Sequence, residues 1–139
     1  PMTITFAKMH GLGNDFVMMR WDVYQVICKH VGVSTEDEAW LAQLAEAVCH
    51  RHTGIGADGL ILAAPPTDPS VHDIRFVYFN SDGSKAEMCG NGIRCFARFV
   101  FDQQLVSPHV LAQKTMAVET PAGTIRPTLN QDGSVTVDM

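Results

Sequence analysis

Residues 80–101, NSDGSKAEMCGNGIRCFARFVF, decide how this chain is read. Asn80-Ser81-Asp82-Gly83-Ser84 is a turn, and Ala86-Glu87-Met88 leads from it into Cys89-Gly90-Asn91-Gly92. From Ile93 onward the spacing predicts a helix. Ile93, Phe96, Ala97, Val100 and Phe101 hold one side, and Cys95 and Phe99 extend the apolar surface nearly around it, so the helix must be buried. The first N–H groups of a helix have no intrahelical partners and lie at the positive end of its dipole, so an anion is stabilised there. At Cys89 this favours thiolate over thiol, the form that acts as base or nucleophile. Gly90 and Gly92 remove the side chains that would hold a ligand away from those N–H groups, so a carboxylate can dock against bare backbone. A lone cysteine or a Gly-Asn-Gly triplet is ordinarily packing or a turn; their conjunction ahead of an apolar helix points to chemistry.

Outward from this block, the chain alternates between short strands and two helices. Ile4, Phe6 and Lys8 alternate with Thr3, Thr5 and Ala7, and the glycine loop Gly11 to Asp15 then leads into a second strand, Phe16 to Trp21. Thr35-x-x-Glu38 reads as a capping box, followed by Leu41, Leu44, Ala45, Val48 and Cys49 at helical spacing. A helix from about Glu36 to Arg51, ended by Gly54, is expected. Strands are expected at Gly59 to Ala63 and Ile74 to Phe79, separated by the proline loop Pro65 to Pro69. Three more follow, Thr115 to Glu119, Thr124 to Leu129 and Ser134 to Met139, with turns at Pro121 to Gly123 and Asn130 to Gly133. Strands with two interspersed helices indicate an α+β domain spanning residues 1–139, with no low-complexity segment and no internal repeat.

Composition narrows the function. A chain of 139 residues, 46% hydrophobic, can bury a core without staples. Ten Lys and Arg against fifteen Asp and Glu give a net charge of −5 with no basic cluster, which argues against a nucleic-acid partner. No apolar run approaches the roughly 20 residues needed to span a bilayer, and residues 1–10 lack a leader pattern, so a soluble, cytoplasmic protein is expected. Cys28, Cys49, Cys89 and Cys95 form no Cys-x-x-Cys pair and no disulfide framework. Cys28, Cys49 and Cys95 read as small buried hydrophobes, and Cys89 as the exception.

Three segments together carry a resemblance: Lys8 to Phe16 (KMHGLGNDF), Gly54 to Gly59 (GIGADG), and Asn80 to Arg98. In order and content they resemble the signature motifs of the diaminopimelate epimerases and span nearly the whole chain. Cys-Gly-Asn-Gly alone would not separate that family from its proline racemase relatives. The resemblance implies a largely antiparallel sheet curled around the helix after Cys89, with the Glu36 to Arg51 helix outside, as one half of a pseudo-symmetric two-domain fold.

It also implies a reaction. Cys89 would be one of two opposed cysteines: one thiolate removes the α-proton while the other thiol reprotonates the opposite face, with no metal, pyridoxal phosphate or other cofactor. Asn14, Asn80, Gly90 and Asn91 would hold a diamino diacid. An Asn amide can donate to a carboxylate and accept from an ammonium without adding charge, although Asn14 and Asn80 also suit turns. His10 and Asp15 flank the first site and equally suit holding the loop together; Asp58 reads as structural, and Glu87 and Arg94 as solvent-facing. Gly59 departs from family members that carry a substrate-contacting glutamine there, so it cannot supply that contact.

Inverting a stereocentre without an electron-sink cofactor needs a base on one face and an acid on the other, roles one residue cannot fill at once. Cys95 lies six residues on in the same helix and cannot oppose Cys89; Cys28 and Cys49 lack a glycine-rich helix start. The resemblance places the second cysteine in a carboxy-terminal half absent from these 139 residues. The chain is therefore expected to be a fragment, inactive alone, of an enzyme serving lysine and peptidoglycan-precursor synthesis. Homodimerisation is left open. The rival readings are a proline or hydroxyproline racemase-type isomerase and a non-catalytic small-molecule binding domain; a cysteine peptidase has no recognisable histidine motif in its favour.

Overall fold

The computed structural model describes residues 3–138, so Met139, the last residue of a predicted strand, lies outside the described residues; the chain falls into two compact units. The first unit comprises residues up to Leu62 together with Tyr78–Ala86, and the second Ala63–Val77 with the remainder from Glu87. The class is α+β, as expected, with seven strands and four helices among the described residues.

In the first unit, β1 (Ala7–Gly11) and β2 (Asn14–Arg20) form an antiparallel hairpin in which Gly11 faces Asn14. The predicted glycine loop is thus only Leu12-Gly13 wide, and Gly13 takes the left-handed conformation (φ +88°) that so tight a turn requires. The first strand begins at Ala7, later than its alternation suggested. Phe16 to Met19 are wholly buried, and the Phe16 ring meets Tyr78 edge-on with centroids 5.8 Å apart. Trp21, expected to end that strand, instead opens an unexpected helix, α1 (Trp21–Val31). Tyr24, Ile27 and Cys28 are its buried stripe, and Gly32 closes it in the left-handed region.

The second helix, α2 (Glu38–Cys49), is shorter at both ends than expected, and its cap is not the predicted box at Thr35. The Asp37 carboxylate accepts from the Trp40 N–H at 3.0 Å, a stronger local acceptor than a threonine two residues earlier. Leu41, Ala45 and Cys49 form its buried stripe. Gly54 is compelled by space: a Cβ there would collide with the carbonyl of Ala47 in the last turns of α2.

Strands β3 (Gly59–Ala64) and β4 (Ile74–Asn80) each run from one unit into the other. β3 is buried along its whole length. In the second unit, β5 (Val118–Thr120) pairs parallel to β4. A parallel pair needs a crossover, and the intervening chain supplies it with α3 (Gly90–Gln103) and α4 (Pro108–Gln113). The short α4 was not foreseen, although Ser107 capping Val110 N–H and Pro108 at the first helical position are its ordinary signals. β6 (Gly123–Leu129) and β7 (Val135–Asp138) complete an antiparallel meander with β5.

Helix α3 is the centre of the second unit. Gly92, Ile93, Cys95, Phe96, Ala97, Phe99, Val100 and Phe101 are all buried, as its nearly all-round apolar character requires. Phe96 stands edge-on to Phe76 of β4 at 5.1 Å, and the helix packs on β6 and β7 as well. Truncating such an aromatic anchor costs about 3–5 kcal/mol, so the helix and its start are firmly held.

One five-residue turn occurs twice, as Asn80 to Ser84 and as Asn130 to Ser134. Each has its glycine in the left-handed region, Gly83 at φ +84° and Gly133 at +86°. In each, the asparagine N–H donates to the serine carbonyl at 2.8 Å.

Candidate active site

Cys89 is the N-cap residue of α3, in extended backbone (φ −124°, ψ 129°), and its carbonyl accepts the first helical bond, from Ile93 N–H at 2.9 Å. The helix therefore starts three residues earlier than Ile93, directly behind the cysteine. The Cys89 side chain makes no capping hydrogen bond and is half-buried, whereas Cys28, Cys49 and Cys95 are buried. Burial pushes the Cys49 thiol up to about 11, helped by the nearby Asp15 and Asp58 carboxylates, and burial likewise raises Cys95. Those three are packing residues, as expected.

Gly90 is open on its side-chain face: a Cβ there would meet nothing closer than the Arg94 guanidinium at 3.6 Å. The surrounding side chains therefore do not demand glycine at this position, and the bare backbone is left for something else to approach. Asn91 follows in the first turn, its Oδ1 accepting from Arg94 Nη1 at 3.3 Å. Arg94 is exposed, in line with its solvent-facing reading, and so is Glu87.

Asn14, the other loop candidate, belongs to the first unit. An open cavity of about 440 Å3 is lined by residues His10 to Asp15 together with Arg51 and Asp58. Its floor is a lock between two chain segments. Asp15 N–H donates to Asp58 Oδ2 at 2.9 Å, and Asp58 N–H donates to Asp15 Oδ1 at 3.2 Å and to its carbonyl at 2.9 Å. Arg51 bridges both carboxylates at 3.2 Å, and Lys8 reaches Asp15 at 3.3 Å. The Arg51 guanidinium beside Asp15 holds that carboxyl well below the usual carboxylate range. Asp15 thus takes the second of the two roles open to it, holding the loop together, and Asp58 the structural role expected of it. Arg51, which sequence reasoning missed, sits at the end of an expected helix where nothing local marked it.

Asn80, at the end of β4 in the first unit, donates from Nδ2 to Ser84 Oγ at 3.0 Å. Gly59, also in that unit, is buried, and a Cβ there would collide with the Tyr78 ring and lie 3.0 Å from the Phe79 carbonyl oxygen. The departure at this position therefore has a packing counterpart: Tyr78 occupies the space a side chain would need.

Among the described residues, no helix is long and apolar enough to cross a membrane. Solved structures with low sequence identity share the fold and fix its class. The phenazine biosynthesis protein of the PhzF family from Bacillus anthracis superposes with a TM-score of 0.59 at 18% identity, over 95% of this chain and 37% of its own. Methylitaconate-delta-isomerase gives 0.61 at 14%, over 99% of this chain and 64% of its own.

Sequence similarity goes further: a family model described as diaminopimelate epimerase matches residues 6–139, and the chain belongs to that family. The diaminopimelate epimerase of Alkaliphilus metalliredigens is 48% identical over 116 residues, 84% of this chain and 36% of that protein. That of Ectopseudomonas mendocina is 44% identical over 138 residues, 99% of this chain and 44% of its own length. The chain therefore spans less than half the length of these relatives.

Proposed function

We propose that these 139 residues make up the amino-terminal domain of a cofactor-independent epimerase that interconverts LL- and meso-diaminopimelate in the cytoplasm, for lysine and peptidoglycan-precursor synthesis. The observation that carries this reading is Cys89 itself: a half-buried cysteine with no capping bond, seated as N-cap of a buried helix beside an open Gly90. Membership of the family described as diaminopimelate epimerase supports that substrate and reaction.

In this reading Cys89 exchanges a proton with the substrate α-carbon. When its sulfur is the base, the C–H bond breaks, the proton passes to sulfur and the electron pair moves toward the substrate carboxylate as an enolate. A second cysteine, supplied by the part of the relatives that this chain does not cover, returns a proton to the opposite face. The N–H groups at the start of α3 stabilise the developing carboxylate charge, a contribution of about 2.7–4 kcal/mol per donor in comparable oxyanion sites. Gly90 leaves room for that approach, and Asn14, Asn80 and Asn91 supply neutral amides that orient the diacid.

The test is solvent exchange. In heavy water the 139-residue chain alone should leave LL- and meso-diaminopimelate unepimerised, since it carries one half of the acid–base pair. The enzyme that carries this chain should incorporate deuterium at the α-carbon with inversion and lose that activity on Cys89→Ala. Turnover by the chain alone, or by the Cys89→Ala enzyme, would overturn the assignment.

A further inference from the structure

The duplicated turn shows what holds Asn80 in place, and what is peculiar to it. In both copies the serine hydroxyl donates to the aspartate Oδ1 at 2.6 Å, and the serine N–H donates to the same oxygen at 2.9 Å. In both copies the asparagine Nδ2 donates to that serine Oγ at 3.0 Å. The two bonds from Ser84 hold the Asp82 carboxyl below the usual carboxylate range, and those from Ser134 do the same for Asp132, so both stay ionised at neutral pH.

An ionised carboxylate only accepts, so the Ser84 hydroxyl proton is committed to Asp82. The Ser84 oxygen is then left only with lone pairs, and the amide beside it must present Nδ2 rather than Oδ1. The polarity of the Asn80 amide is thereby fixed by a residue two places upstream of its own partner.

The copies differ in what they leave over. Asn130 gives a second bond from Nδ2 to Thr136 Oγ1 at 2.8 Å, so both its N–H groups are spent on the turn and on β7. The corresponding position after Asn80 is Ala86, a buried methyl that cannot accept. Asn80 thus keeps one N–H and its Oδ1 uncommitted among the described residues, in a fixed orientation, while Asn130 keeps no N–H.

We propose that Ser84, held by Asp82, is a positioning residue that fixes the Asn80 amide for ligand contact, and that the Asn130 turn is its purely structural counterpart. This rests on the reading of Asn80 as a substrate contact. Side-chain amide spectra of the 15N-labelled chain test the relay without substrate. Ser84→Ala should speed hydrogen exchange at the Asn80 amide and leave Asn130 untouched, with Ser134→Ala doing the reverse. Asp82→Asn, which can donate as well as accept, should loosen Asn80 in the same way while keeping the size of the side chain. An Asn80 amide unmoved by both Ser84→Ala and Asp82→Asn would overturn the relay.

Kinetics of the enzyme that carries this chain test its use. Ser84→Ala should raise KM for diaminopimelate by roughly tenfold with kcat little changed, as expected for a lost orienting bond, and Ser84→Thr should restore it. Ser134→Ala should leave both constants unchanged. Equal effects of Ser84→Ala and Ser134→Ala on KM would reduce both serines to turn stability and overturn the proposal. An unchanged KM in Asn80→Ala would instead remove Asn80 from the substrate contacts, with the relay still judged by the spectra.

Discussion

Asp15 and Asp58 cap one another across 43 residues of sequence: each backbone N–H donates to the other's carboxylate, at 2.9 and 3.2 Å. The pair ties the hairpin turn that carries Asn14 to the segment leading into β3, and Arg51 closes it from outside at 3.2 Å to each carboxylate. Asn14, which lines the cavity, is thereby anchored through its neighbour.

Removing one acceptor should show how much that lock carries. Asp58→Ala leaves the part-buried Asp15 N–H without its partner, and the chain should lose about 1–3 kcal/mol of stability in urea unfolding. Arg51→Ala should cost less, because its side chain is 56% exposed and its ion pairs are screened by solvent. A larger loss for Arg51→Ala would mean that the ion pairs, and not the reciprocal capping, hold the segments together.

The same lock has a pH signature whose sign follows from Asp15. Its folded-state value lies well below the ordinary 3.8, chiefly because Arg51 hydrogen-bonds the charged form. The unfolded chain therefore binds the proton first as pH falls, and stability contributed by this group is fully present above about 4 and lost progressively below it. Acid unfolding of Asp15→Asn should lack this component; identical stability-versus-pH curves below pH 4 would count against it.

Thiol reactivity should single out Cys89. Alkylation at neutral pH with mass mapping should label it first, because Cys28, Cys49 and Cys95 are buried and Cys49 is pushed up to about 11. Earlier labelling at any of the three would contradict the described helix start.

Two glycines should part company on substitution. Gly90→Ala meets nothing closer than 3.6 Å, so the chain should melt as the parent does; on the proposed function, the enzyme that carries it should lose roughly a hundredfold in epimerisation as the methyl blocks access to the helix-start donors. Gly59→Gln should instead destabilise the fold itself, since its Cβ collides with the Tyr78 ring. Thermal melts of the two variants decide this; a Gly90→Ala chain that fails to fold would remove the argument that its side-chain face is free for a ligand.

What was readable in the linear chain lay within one or two turns of backbone. The spacing of apolar residues from Ile93 to Phe101 is enough to make α3 a buried helix, and the Cys-Gly-Asn-Gly run marks where it begins. The Leu12-Gly13 turn announced itself in the same way. Helix α1 escaped because its buried stripe is only Tyr24, Ile27 and Cys28, among β-branched residues whose local preference is for strand. The twin turn was legible as Asn-x-Asp-Gly-Ser occurring twice, yet its consequence for the Asn80 amide needed the bond directions.

Local pattern by itself settled the α+β class, the buried helix and the cysteine at its mouth, because periodicity and capping act between near neighbours. Only the folded chain could choose Asp58 as partner for Asp15, set β5 parallel to β4, and fill the space over Gly59 with Tyr78. Such choices are made among surfaces that meet only after collapse, where close packing and the cost of an unpaired buried polar group select one arrangement from many that the local sequence allows.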